Sequence, residues 1–490
     1  MRVSYLFSLT FVVAINLVSC LKSGTYREDL SLSPVSPIEV LASFEFSSVI
    51  PLENLFKKQE GGNLSELLES DTHHYALIPR SLGQILQRTG TQELHLRLTQ
   101  GRWSDSWGNL PKNGIHAGGT GFEIWAYLSS DDKDLFQRWS SLANSLSGLF
   151  CASLNFVDST RIIKPQMSLQ SSIFQKSESK LKLLYGSLPR EPVCTENLTP
   201  FLKLLPCKGY EGIASLLDGH RLFDAKWQSL SVDIEPFEKD GKYFLQIGQR
   251  IDVVIDADRS VRRGGSPIPQ PEPLDSEHCN FTKTWIPEGA CFPLDEKKCS
   301  PWWLSELFGR QLKGRCPIST PSDQSDVHVC SPVNPELCNH YKLQPGQNFN
   351  VHYDCRYSVD METMYPPVIV QRSLTGHGQV QGGFKTIFES KTDQDVQILY
   401  LESLIWPIKP FINTLSVSVV GPNSAQSYDG KKLIKQIFYK PALDRARGTQ
   451  LELKITIPAR SLVTMTWEFE KSILRFNEYP PDANRGFDVG

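Results

Sequence analysis

The feature that most constrains this chain is a step of two. Leu94, Leu96 and Leu98 alternate with His95, Arg97 and Thr99. Side chains of an extended strand point to opposite faces in turn, so such a run can bury its apolar half only in a sheet. The same step recurs at Leu415, Val417 and Val419, at Leu451, Leu453, Ile455 and Ile457, and at Val463, Met465, Trp467 and Phe469. Short alternating runs with turn residues between them predict an antiparallel sandwich. Its inner face should include Leu453, Ile455, Ile457, Met465, Trp467 and Phe469. Leu230, Val232 and Ile234, the turn Lys239-Asp-Gly-Lys242 and the return Tyr243–Ile255 predict a hairpin. Phe122–Leu128 and Leu149–Val157 also read as strands. Helical spacing appears over Asp131–Gly148, and a short helix is expected at Ser81–Arg88. The fold class is therefore mainly β with minor α, built as antiparallel β-sandwich-type domains.

The 490 residues are enough for about two to four domains. Arg259–Leu274 holds Gly-Gly and four prolines and reads as a linker or long loop. It separates an N-terminal β-rich domain, 21–258, from a Cys-rich region, 275–360, and a C-terminal sandwich, 361–490. The Ser/Gln/Lys-rich stretch Ser159–Lys180 reads as an exposed loop. Residues 1–20 read as a signal peptide: Arg2 precedes an apolar stretch, Tyr5–Val18, and cleavage is expected just after Cys20.

Entry into an oxidising compartment decides how cysteine is read. Eleven cysteines are present, ten after removal of Cys20, and disulfides are the default for most of them. Sequons at Asn63, Asn197 and Asn280 predict N-glycans, with Pro200 after Thr199 lowering use of Asn197. Formal charge is −3, from 51 basic and 54 acidic residues, which removes the main electrostatic argument for nucleic-acid binding.

The chemical motifs are weak. Gly114–Gly121 lacks the pattern of a phosphate loop and reads as a glycine-rich hairpin loop whose glycines would permit close approach to a partner's backbone. Cys330, Cys338, His340, His352 and Cys355 could be drawn as a zinc site, but their spacing follows no zinc motif and disulfides fit better. A Cys–His hydrolase has no local nucleophile signature, and His73-His74 reads as surface loop. Trp103 and Trp107 leave two readings open, a binding face or core. No cofactor, metal or catalytic residue is expected.

Several words of the sequence resemble one family. They are Tyr26-Arg-Glu-Asp29, Pro79-Arg-Ser-Leu-Gly83, Leu94-His-Leu-Arg-Leu-Thr-Gln-Gly-Arg-Trp103, Cys151-Ala-Ser-Leu-Asn-Phe156, Leu188-Pro-Arg-Glu191, Cys194-Thr-Glu-Asn-Leu-Thr-Pro200, Leu204-Leu-Pro-Cys207 and Glu478-Tyr-Pro-Pro-Asp482. Together they resemble the GPI transamidase component PIG-T family, from about residue 26 onward. The resemblance implies a non-catalytic subunit in the lumen of the endoplasmic reticulum. Its partners would be a cysteine-protease-like catalytic subunit and the other transamidase subunits, with GPI lipid and precursor protein met indirectly. The family continues past Tyr-Pro-Pro-Asp into a C-terminal membrane span, whereas this sequence stops at Gly490.

The resemblance also implies an interchain disulfide to the catalytic subunit at Cys194. A local Cys194–Cys207 bridge is the alternative by spacing. With Cys194 committed to the partner, Cys151 is the expected free thiol, a small buried hydrophobe in its apolar segment. Cys207, Cys279, Cys291, Cys299, Cys316, Cys330, Cys338 and Cys355 are then the candidates for intrachain bridges. The alternative function is a secreted disulfide-rich β-sandwich acting alone in binding or adhesion.

Overall fold

The computed structural model describes residues 24–52, 77–129, 134–174, 181–261, 300–319, 326–331, 338–354, 365–376, 378–421, 428–479, 486–487 and 489. The leader 1–20, residues 262–274 of the linker, His73-His74, Asn63, Asn280, Cys279, Cys291, Cys299 and Cys355 lie outside them.

The alternating runs form sheets. Nine strands make the first: β1 (Thr25–Ser36), β2 (Glu39–Pro51), β3 (Thr91–Gly101), β4 (Gly121–Ser129), β5 (Leu181–Pro189), β6 (Trp227–Lys239), β7 (Lys242–Asp256), β8 (Val327–Cys330) and β9 (Cys338–Tyr341). Their order is β9-β8-β1-β2-β7-β6-β3-β4-β5, and β1–β8, with Leu30 opposite Val327, is the one parallel strand pairing among the described residues. The expected hairpin is β6–β7, with Lys239 opposite Lys242. Asp240 and Gly241 both take positive φ, 53° and 73°, as its two-residue turn requires.

Leu94, Leu96 and Leu98 of β3 bury against Trp139, Leu142 and Leu146 of the helix α2 (Leu135–Phe150), with Leu82 of α1 (Arg80–Thr89) in the same core. The first body is thus one sheet layered with helices, and the sandwich architecture belongs to the second body alone. Strands β8 and β9 come from the Cys-rich stretch. Trp302, Leu304 and Phe308 of that stretch join the same core, Phe308 meeting Phe44 edge-on at 5.4 Å. Residues 300–354 therefore share sheet and core with the N-terminal strands wherever they are described.

The opposite face of β3 is polar and yet covered. Asp233 accepts from His95 Nδ1 at 2.5 Å, from Arg97 at 2.6 Å and from His116 Nδ1 at 2.9 Å. His116 belongs to the glycine-rich loop, whose Ile115 carbonyl also accepts from Arg97 at 3.0 Å. Burial works against charge on His95, but the Asp233 and Glu93 carboxylates prevail and raise its pKa to about 9. Burial alone would raise Asp233; its hydrogen bonds to both histidines and the charge of Arg97 hold it far below the carboxylate range instead. Ser171 donates to Glu93 at 2.6 Å, so part of the Ser159–Lys180 stretch is a cover over this face and not an exposed loop.

The second body is a sandwich. One sheet is built from β10 (Val368–Thr375), β11 (Gln381–Ser390), β13 (Ile408–Val420), β14 (Tyr428–Asp429) and β17 (Leu462–Lys471), ordered β10-β11-β17-β13-β14. The other holds β12 (Val396–Leu404), β15 (Ile434–Lys440) and β16 (Thr449–Ile457), ordered β12-β16-β15. Leu453, Ile455 and Ile457 on β16 and Met465, Trp467 and Phe469 on β17 all face the shared core, as the step of two predicts. Glu452, on the outer face of β16, is fully buried against the first body. Its carboxylate accepts backbone N–H from Gln166, Met167 and Ser168 at 2.7, 2.7 and 2.8 Å.

Candidate assembly site around Cys194

The segment after β5 folds into the helix α3 (Thr195–Lys203), which begins at Cys194. A carboxamide sets this start. Asn197 Oδ1 accepts the Cys194 backbone N–H at 2.7 Å, satisfying a donor that a helix N-terminus otherwise leaves open. Glu196 in the first turn and Lys203 in the last suit the helix dipole. Leu198 and Phe201 turn inward and anchor the helix in the core.

Asn197 also reaches sideways. Its Nδ2 donates to the carbonyls of Phe150 at 2.8 Å and Cys151 at 3.0 Å, closing the C-terminal end of α2. One side chain, 1% exposed, therefore couples the start of α3 to the end of α2. Two of the family-like words, those beginning at Cys151 and Cys194, meet at this atom group. The nitrogen that a glycan on Asn197 would use is buried and donates twice in the folded chain.

Two free thiols flank the carboxamide. Cys194 and Cys151 are both exposed and unpaired. Cys151 is the αL residue that ends α2, with φ 53°, and Ser153–Phe156 continues as a single 3-10 turn. The strand expected over Leu149–Val157 is absent, and Cys151 is a surface thiol, not a buried hydrophobe. The apolar side chains Leu146, Phe150 and Leu154 bury at a step of four, which is helical spacing.

The local alternative for Cys194 is already occupied: Cys207 is bonded to Cys316, with Cα atoms 6.0 Å apart. That bridge fastens the turn after α3 to the Cys-rich stretch. Behind it Glu28 accepts the Cys316 N–H at 3.1 Å. Burial raises the Glu28 pKa to about 7 against the stabilising N–H groups of Cys316 and Ile213. A second bridge joins Cys330 to Cys338 across β8 and β9. This removes both cysteines from the zinc alternative, and His340 pairs with His328 at 2.8 Å across the same two strands. Among the described residues no group of three or more potential ligands could hold a metal.

The tryptophans resolve toward structure. Trp103 and Trp107 are half-buried, stack edge-on at 5.2 Å, and donate to Gly108 and Glu39 at 2.9 and 2.7 Å. Gly121 has φ 117°, and a Cβ there would meet the Leu188 carbonyl at 2.1 Å, so this glycine is required by the backbone of β5 in the same chain.

The comparisons with known proteins agree with one another. The model of the Gpi16 subunit, GPI transamidase component, matches residues 9–490. The GPI transamidase component GPI16 of Saccharomyces cerevisiae is 35% identical, over 95% of this chain and 78% of its own length. The GPI transamidase component PIG-T homolog of Schizosaccharomyces pombe is 32% identical, over 98% and 81%. The GPI-anchor transamidase component PIGT of Homo sapiens is 28% identical, over 94% and 75%. With a match across nearly all of its residues, the chain belongs to the Gpi16/PIG-T family of GPI transamidase components.

Proposed function

We propose that this chain is the non-catalytic subunit that holds the cysteine-protease-like catalytic subunit of the GPI transamidase, joined to it by an interchain disulfide at Cys194 in the endoplasmic reticulum lumen. The observation that carries this reading is an exposed, unpaired Cys194 beside a Cys207 already committed to Cys316. Two intrachain disulfides fit an oxidising compartment. Neither free thiol has a hydrogen-bonded histidine among the described residues, which fits a chain whose chemistry resides in its partner. GPI lipid and precursor protein are met through the complex. Asn63 and Asn280 are the glycan sites in this reading.

Cys194→Ser in the co-expressed complex should abolish the covalent species on a non-reducing gel. It should only weaken co-purification, since a disulfide contributes about 2–4 kcal/mol. Survival of the covalent species in that variant, with its loss in Cys207→Ser, would assign the bond to the other cysteine. The chain purified without its partner should not cleave a GPI-signal peptide.

A further inference from the structure

The outer side of α3, away from Asn197, forms one wall of an open groove of about 980 Å³. Lys203 and Lys208 stand on one rim and Arg310 and Lys313 on the other, with Tyr210 rising from the turn between them, 76% exposed. Among the described residues no acidic side chain lines the groove. Arg310 is satisfied by Asp218 at 2.5 Å. Lys203, Lys208 and Lys313 are exposed and make no ion pair among the described residues. Three uncompensated positive charges thus face one concavity in a chain whose formal charge is −3. A concave, low-dielectric wall concentrates such a field. Crowded lysines repel one another, so the arrangement is relieved when an anion enters.

Position names the source of that anion. The nine residues of α3 span about 14 Å from the Cys194 end to Lys203. A stable protein interface covers about 800 Å² per partner, a patch roughly 30 Å across. A patch of that width centred on Cys194 reaches about 15 Å, to Lys203 at the edge of the groove. We propose that the groove is the docking site for an acidic segment of the subunit to which Cys194 is joined, steering that subunit into place before the disulfide closes. The proposal rests on the interchain reading of Cys194.

The test uses the co-expressed complex and the triple variant Lys203→Glu/Lys208→Glu/Lys313→Glu, with Lys203→Gln/Lys208→Gln/Lys313→Gln as the milder companion. Reduced complex is dissociated, mixed again, and reoxidised with glutathione disulfide at low and high salt. Formation of the covalent species should slow about tenfold or more in the Glu variant at low salt, less in the Gln variant, and wild type alone should lose rate steeply with salt. In Cys194→Ser, non-covalent capture should keep that salt dependence and lose it when the lysines are also changed. Wild-type rates and salt dependence in both lysine variants, with the covalent species absent in Cys194→Ser, would overturn the groove and leave the Cys194 reading standing. A covalent species surviving in Cys194→Ser would remove both. Binding of the wild-type chain, but not the Glu variant, to phosphatidylinositol-containing vesicles, with partner capture equal in the two, would assign the groove to a lipid phosphate and overturn the protein partner.

Discussion

Replacing Asn197 by alanine removes three hydrogen bonds at once: the acceptor for Cys194 N–H and the donors to Phe150 and Cys151. Each such bond contributes a net of about 1 kcal/mol, and a buried donor left without a partner costs about 1–3 kcal/mol more. The expected loss is therefore about 4–6 kcal/mol, above the usual range for an N-cap because two helices are released together. Thr199→Ala is the control. It destroys the same sequon at an exposed helical position and should fall within about 0.5 kcal/mol of wild type. Urea unfolding followed by tryptophan fluorescence reads stability, and intact mass with and without an N-glycosidase reads the glycan. Asn197→Ala should also slow formation of the proposed interchain disulfide, since the backbone of Cys194 loses its anchor. Equal stability of the two variants, or a glycan mass that vanishes in Thr199→Ala, would refute a structural role for Asn197.

Glu28 gives a pH dependence. Its folded pKa lies above its ordinary value, so the folded state holds the extra proton between 4.5 and about 7. Its contribution is present below 4.5 and is lost as pH rises through 7, amounting to about 3 kcal/mol; Glu28→Gln should flatten that slope in urea titrations across this window, and an unchanged slope would contradict it. Trp467→Ala should cost about 3–5 kcal/mol by denaturation, because the ring fills the sandwich core; a loss under 1 kcal/mol would mean it does not. Glu452→Ala leaves three backbone donors of 166–168 without their carboxylate, so chymotrypsin should cut after Leu169 faster; an unaltered digestion pattern would show that the contact holds nothing.

What the sequence disclosed was periodicity. The step of two in Leu451–Phe469 and Leu94–Thr99 is a local property, and the structure places those faces where the alternation puts them. Turn chemistry was equally local at Asp240-Gly241. Long-range pairing was not. Nothing near Asn197 reveals that its amide meets a carbonyl 46 residues earlier; the triplet Asn-Leu-Thr carries no trace of that contact. Leu149–Val157 misled because a short apolar run fits strand and helix alike. The tryptophans and the stretch before Lys180 share one cause: the sheet buries a polar face, and burial of polar residues leaves no hydrophobic pattern to read. The cysteine count allowed a free thiol at Cys151, but only geometry puts it on the surface.

The parallel pairing of β1 with β8 has a consequence in time. Leu30 waits for Val327, nearly 300 residues later. At synthesis rates of about 5–20 residues per second, that interval is about 15–60 s. Throughout it β1 has one ladder of backbone donors and acceptors without its own mate, while β2 can pair on the other side at once. A growing chain with an open strand edge is a target for chaperones and for wrong partners alike. The earliest moment at which β1 and β8 can pair is then set by the ribosome, and faster translation of residues 37–326 should bring that pairing forward in proportion.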